Sequence, residues 1–209
     1  MMNIKQACAV IATQRDEQSL VVATMGAMRA FDVLESEAGY AGRAPKEARL
    51  SSVPLMGGAA CLGLGMALGR PGRKVIVVDG DASLLMELGS LVTVARADAR
   101  NLLHVVIKNG TQFTGLANLD APAQDFSFSG AARNAGYRHV YTFEDEATWS
   151  ARFEEIQKLA GPVFVELLVQ PAPAQAKEGF EQAEMPDYQF TRMGSEAHAI
   201  QQILSAEVA

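Results

Sequence analysis

Two short polar turns, 28 residues apart, carry the residue types in this chain best suited to chemistry. The first is Gly80-Asp81-Ala82-Ser83, which follows the apolar run Lys74 to Val78 and Asp79. The second is Lys108-Asn109-Gly110-Thr111, which follows the apolar run Leu102 to Ile107. An acid and free backbone N–H groups at the carboxyl end of a strand stand where open α/β sheets bind ligands. A carboxylate repels a bare phosphate, so Asp81 requires a cation between itself and any bound anion. The side-chain oxygens of Asp81 and Asn109, with a backbone carbonyl, are hard ligands suited to Mg²⁺. That ion completes its octahedral shell with phosphate oxygens and water. Taken singly, Asp81 reads as a helix N-cap and Asn109-Gly110 as a turn. Their spacing leaves room for one helix and one strand and puts both turns at one sheet edge, which favours a metal–diphosphate site.

The flanking periodicity supplies the elements that must position these turns. Lys74 to Val78 reads as a buried parallel strand, Ser83 to Ala97 as a helix with Leu84, Leu85, Leu88, Leu91, Val92 and Ala95 inward, and Leu102 to Ile107 as the next strand. Upstream, Ile4 to Thr13 predicts a helix, Ser19 to Ala23 a short strand ending in Thr24-Met25-Gly26, and Ala27 to Leu34 a second helix. Glu35 to Arg49 reads as a long surface loop. Arg29, Arg43 and Arg49 are candidates to reach an anionic substrate, but surface solvation is the favoured reading of each. Downstream, Gln112 to Gln124 reads as a loop, Phe126 to Gly136 as a helix, Arg138 to Tyr141 as a strand, Glu144 to Ala160 as a helix and Val163 to Val169 as a last strand. This alternation predicts an α/β fold, a mainly parallel sheet with helices on both faces, over residues 1–170. Residues 171–209 form a tail, irregular from Pro171 to Asp187, with a terminal helix over Ser195 to Leu204.

Composition narrows the functional classes. With 209 residues, 49% hydrophobic and 20% charged, the chain can bury a full core. A net charge of -6 argues against nucleic acid and anionic membranes as main partners. No apolar run reaches transmembrane length and no signal peptide opens the chain, so a cytoplasmic location is expected. Cys8 and Cys61 lack metal-type spacing and read as buried thiols. His104, His139 and His198 form no zinc motif. Gly63-Leu64-Gly65 resembles a dinucleotide fingerprint only superficially, because position 68 is Leu and the strand comes after it.

At their spacing, Gly80-Asp81-Ala82-Ser83 and Asn109-Gly110 resemble the thiamine-diphosphate motif of the 2-oxo acid decarboxylase group, which begins Gly-Asp-Gly and ends Asn-Asn. Met56-Gly57, the small-residue stretch after it and Arg70-Pro71 are similar to the segment that precedes the motif, so the resemblance covers Leu20 to Leu168. Within the group the chain looks most like β subunits of sulfopyruvate decarboxylase and the C-terminal parts of phosphonopyruvate decarboxylases. The resemblance implies that Asp81, Asn109 and the Thr111 carbonyl bind Mg²⁺. It places Gly80, Ala82, Ser83, Met25 and Gly26 along the diphosphate. Met56, beside Gly57, becomes the apolar wedge that folds thiamine diphosphate into its V shape.

In that family a Glu of a different domain activates the cofactor at the pyrimidine. This chain is expected to hold half of an active site, without a catalytic residue of its own. A pyrimidine-binding α subunit would complete it, in a hetero-oligomer with at least two copies of each chain. Three departures bear on this reading: Ala82 replaces a family glycine, Lys108 replaces the usual Asn or Asp, and Thr114-Gly115 falls one residue early, with Asn118 near the place of the usual Gln. The expected activity is decarboxylation of 3-sulfopyruvate. The alternatives are a phosphonopyruvate decarboxylase or acyloin-forming subunit and, in another class, a non-catalytic thiamine-diphosphate-binding regulatory subunit. An iron–sulfur oxidoreductase subunit lacks its cysteine cluster here.

Overall fold

A computed structural model describes residues 1–40, 42–113, 118–120, 125–171 and 188–206. In order, these form α1 (Ile4–Gln14), β1 (Leu20–Ala23), α2 (Met25–Ser36), a 3₁₀ turn (Lys46–Ala48), β2 (Arg49–Ser51), α3 (Ala59–Gly69) and β3 (Val75–Gly80). Then come α4 (Asp81–Met86), α5 (Ser90–Ala97), β4 (Leu102–Lys108), β5 (Thr111–Phe113) and β6 (Asn118–Asp120). The chain continues with α6 (Phe128–Ala135), β7 (His139–Phe143), α7 (Glu146–Lys158), β8 (Val163–Leu168) and α8 (Tyr188–Ala206). Six strands make one parallel sheet in the order β2-β1-β3-β4-β8-β7, as the alternating pattern predicts.

Because strand side chains alternate, each central strand feeds two cores. Val21, Ile76, Val78, Leu103, Val105 and Val165 point to one face, against Cys8 and Ile11 of α1, Met28 and Phe31 of α2, and Trp149 and Phe153 of α7. Val75, Val77, Leu102, Val106 and Phe164 point to the other, against Ala60 and Leu64 of α3, Leu91 and Val94 of α5, and Ala132 of α6. Helix α1 starts with a reciprocal cap between Asn3 and Gln6. Gly63 lets α3 approach β3 closely: a Cβ there would come within 2.2 Å of Val77 Cγ2. Among the described residues no helix is long and apolar enough to cross a membrane.

The structure corrects several expectations. The helix expected over Ser83 to Ala97 is two, because the turn through Glu87, Leu88 and Gly89 breaks it; Glu87 N–H bonds back only three residues, to Leu84. The break re-phases α5, so Leu91 and Val94 face inward and Val92 is 53% exposed. Gln112 to Gln124 does not read as loop throughout, since β5 and β6 pair antiparallel, Thr111 opposite Asp120.

Glu35 and Ser36 still belong to α2, and the expected loop ends in the 3₁₀ turn and edge strand β2. Arg49 is not solvated but 5% exposed, its guanidinium donating to Asp32 and Glu35 of α2. Cys8 is buried as expected, but Cys61 is exposed, because Ala60, Gly63 and Leu64 form the inward face of α3.

The terminal helix starts earlier than expected, at Tyr188, and packs along the β2 edge. Glu196 accepts from the Ser51 N–H at 2.6 Å and from its hydroxyl at 2.9 Å, while Arg192 pairs twice with Asp32, at 2.9 and 3.0 Å. This covers the free N–H of an edge strand that would otherwise invite pairing.

Candidate cofactor site

Strand order reverses at β1: the chain goes outward to β2, then returns to place β3 on the other side of β1. Such switch points open a crevice beyond the carboxyl ends of the strands. A cavity of about 180 Å³ lies there, walled by Thr24, Met25 and Gly26 after β1, Gly80 to Ser83 after β3, and Asn109 and Thr111 after β4. Met56 lines it too, and at 52% exposure it is not the core residue its type suggests. Every residue expected at the site borders this cavity except Gly57, whose N–H donates to Ser83 Oγ at 3.0 Å. Gly57 is held to its type by a φ of +85° and by Glu87, whose Cγ would lie 2.6 Å from an added Cβ.

Two helix starts point into the cavity. Met25 and Gly26 open α2, just ahead of Ala27, where the sequence pattern starts that helix, and Asp81, Ala82 and Ser83 open α4. Neither N-cap residue, Thr24 or Gly80, offers a side-chain cap. First-turn N–H groups of α2, and those of α4 other than the Ala82 N–H, which Asp81 Oδ1 accepts, are therefore available to an anion. Ala82 is helical; the one positive-φ residue other than glycine among the described residues is Asp98, so this turn does not demand the family glycine.

Asp81 is 3% exposed. Its Oδ1 accepts from the Ala82 N–H at 2.8 Å and its Oδ2 from the Gly110 N–H at 2.7 Å. Asn109 Oδ1 accepts from the Thr111 N–H at 2.9 Å, which aims its amide oxygen along the same wall. Burial raises the Asp81 pKa, opposed by these N–H groups and by the Lys108 charge. A bound cation would supply the missing compensation. Among the described residues no three His, Cys, Asp or Glu side chains form a metal cluster. A cation here would rest on one carboxylate, one amide and backbone oxygens, a set that suits Mg²⁺ shared with a phosphate.

Residues outside the expected set also line the cavity. Arg29, expected to be solvated, reaches the wall half-buried, and burial lowers its pKa. Asp79 also borders the cavity; its signal was a charge at the end of a β-branched strand. Lys108, the second departure, turns aside: its ammonium donates to the Phe126 carbonyl at 2.7 Å and lies 3.8 Å from Glu166, which accepts from the first N–H groups of α6. Thr114-Gly115 lies outside the described residues.

The chain matches the family model of the thiamine pyrophosphate enzyme C-terminal TPP binding domain over residues 43–167, more than half its length. It is 41% identical over 120 residues to a phosphonopyruvate decarboxylase of Streptomyces viridochromogenes, covering 57% of this chain and 30% of that protein. It is 36% identical over 127 residues to a sulfopyruvate decarboxylase subunit beta of Methanothermobacter thermautotrophicus, covering 57% of this chain and 60% of that one. The chain thus aligns with less than two thirds of either relative. A thiamine diphosphate-dependent 4-hydroxybenzoylformate decarboxylase of Rhodococcus jostii shares the fold, with a TM-score of 0.65 at 16% identity over 81% of this chain and 33% of its own. The cavity with its two open helix starts, the buried acid and the sequence match agree: the chain belongs to the thiamine pyrophosphate enzyme family, as its C-terminal TPP-binding domain.

Proposed function

We propose that this chain is the diphosphate- and metal-binding subunit of a thiamine-diphosphate-dependent 2-oxo acid decarboxylase that acts on 3-sulfopyruvate. The observation that carries this reading is the convergence of two helix starts without side-chain caps on a cavity that also buries Asp81. Helix starts favour an anion and Asp81 favours a cation, so a metal diphosphate satisfies both. Asp81, Asn109 and the Thr111 carbonyl would hold Mg²⁺. The α2 and α4 starts, with Ser83, would hold the diphosphate, and Met56 would press on the body of the cofactor. When bound, thiamine diphosphate supplies the electron sink that lets CO₂ leave a 2-oxo acid.

The residues of this chain bind and orient; none is assigned the activating role. Asp79 and Asp81 are the acids on the cavity wall among the described residues, and no glutamate lines it. We assign that glutamate to a pyrimidine-binding α subunit, with at least two copies of each chain in the assembly. The relative described as a subunit beta supports this arrangement. Interfaces between domains or subunits are also common places for cofactor sites.

Phosphonopyruvate is the second substrate reading, favoured by the 41% identity to a phosphonopyruvate decarboxylase. Purifying the chain alone and with a pyrimidine-binding partner, then measuring CO₂ release from 3-sulfopyruvate and 3-phosphonopyruvate, separates the two. Turnover by the isolated chain would overturn the split site. Thiamine diphosphate binding without turnover of any 2-oxo acid by the assembled pair would favour the regulatory alternative.

A further inference from the structure

Beneath the cavity, two buried polar atoms without hydrogen-bond partners face each other: Asp79 Oδ2 and His104 Nε2, 3.7 Å apart, with both side chains fully shielded from solvent. Their other atoms are engaged. Asp79 Oδ1 accepts from the Gly80 N–H at 2.8 Å, and His104 Nδ1 lies 3.0 Å from the Tyr137 hydroxyl. In the β3–β4 register Val77 is opposite His104 and Asp79 is opposite Val106, so the two side chains are diagonal neighbours on one face. Phe164 stands edge-on to both the His104 and Tyr137 rings and walls the row off with apolar surface. Unpaired buried groups are costly and in native proteins call for an explanation.

The chemistry of the three groups selects one arrangement. If Nδ1 carried the proton, the Nε2 lone pair would face a carboxylate lone pair. If the Tyr137 O–H donates to Nδ1 instead, Nε2 carries the proton and points it at Asp79 Oδ2. Burial, then the Asp79 charge, raises the Tyr137 pKa, which keeps that hydroxyl a donor.

We propose that Tyr137, His104 and Asp79 form a positioning chain under the cofactor site, with the imidazole in its Nε2–H form steadying Asp79. Asp79 in turn fixes the Gly80 N–H, and Gly80 is the cap from which Asp81 and α4 depart. None of the three is catalytic; they act through Asp81. The functional half of this inference rests on the metal-diphosphate role proposed for Asp81, whereas the tautomer does not.

The test uses the full chain carrying ¹⁵N-labelled histidine, and the same chain with its pyrimidine-binding partner titrated with Mg²⁺ and thiamine diphosphate. His104 should show the Nε2–H tautomer without cofactor. In Asp79→Asn, Oδ1 stays with the Gly80 N–H and the amide NH₂ faces Nε2, so the ring should switch to Nδ1–H. The affinity for Mg²⁺–thiamine diphosphate should fall about 10- to 100-fold, as for loss of an outer partner of a metal ligand. Tyr137→Phe should keep the Nε2–H form and lose less affinity. An Nδ1–H or doubly protonated His104 in the unsubstituted chain overturns the arrangement. A folded Asp79→Asn protein with unchanged affinity overturns the positioning role. If the unsubstituted pair binds no thiamine diphosphate, the proposed function fails and the tautomer alone decides whether the chain of bonds exists.

Discussion

The Gly110 N–H donates to Asp81 Oδ2 at 2.7 Å, tying the turn after β3 to the turn after β4. One carboxylate thereby sets the distance between two strand ends and keeps lone pairs for a cation. Burial raises the pKa of this acid above its unfolded value. The unfolded chain then gives up the proton first as pH rises, so ionised Asp81 lowers the stability of the chain without cofactor above that point. Asp81→Asn should remove that pH dependence from the stability of the chain, while its NH₂ gives up one of the two backbone N–H bonds that the carboxylate accepts. Calorimetric titration should find Mg²⁺–thiamine diphosphate binding weakened by about 100-fold or more, the upper end of what loss of even an outer partner costs.

Gly57 combines a positive φ with the Glu87 stem against its back. Gly57→Ala should destabilise the chain by about 1–3 kcal/mol in urea unfolding, the usual cost of such backbone strain. It should also displace Met56 and the Gly57–Ser83 hydrogen bond, so cofactor affinity should fall along with stability.

Lys74 is partly buried with its ammonium on the Leu159 carbonyl at 3.0 Å, and desolvation pushes its pKa down to about 8. Between about 8 and the unfolded value of roughly 10.4 the unfolded chain binds the extra proton, so this group adds stability as pH rises through that window. Its charge costs stability below it. Lys74→Met keeps the apolar stem and should flatten the pH dependence of the urea midpoint between pH 8 and 10 (a range set by the same pKa values). An unchanged slope would count against the shift.

Arg192 makes a two-pronged pair with Asp32 and a further bond to Glu196, which itself occupies the Ser51 edge. Those carboxylates raise the pKa of an already permanent cation. Arg192→Ala should cost about 2 kcal/mol in urea unfolding, the scale of a charge-assisted hydrogen bond, and hydrogen exchange at the Ser51 N–H should speed up. Equal exchange at Ser51 in both proteins would argue against α8 holding the β2 edge through Arg192.

Much of the fold was legible because its signals are local. The β-branched runs ending at Asp79 and Lys108 could satisfy their backbone and side chains only as buried parallel strands, and the polar turns after them then had to share an edge. The residues expected there, Gly57 excepted, border one cavity. The rest depended on neighbours distant in sequence. Arg49 looked solvated until Asp32 and Glu35 of α2 closed on it, and Glu87, at the break between α4 and α5, has its stem against Gly57, 30 residues earlier.

From the sequence alone came the parallel alternation, the edge at which chemistry gathers, and the placement of the Asp81 and Asn109 turns at that edge, all set by periodicity and spacing along the chain. Tertiary structure alone decided that Met56 stands exposed on the cavity wall, that α8 covers the β2 edge, and that Asp79 meets His104 under Gly80. Those facts depend on which surfaces pack together. A residue's burial and partners are properties of the assembled layers, and no local pattern encodes them.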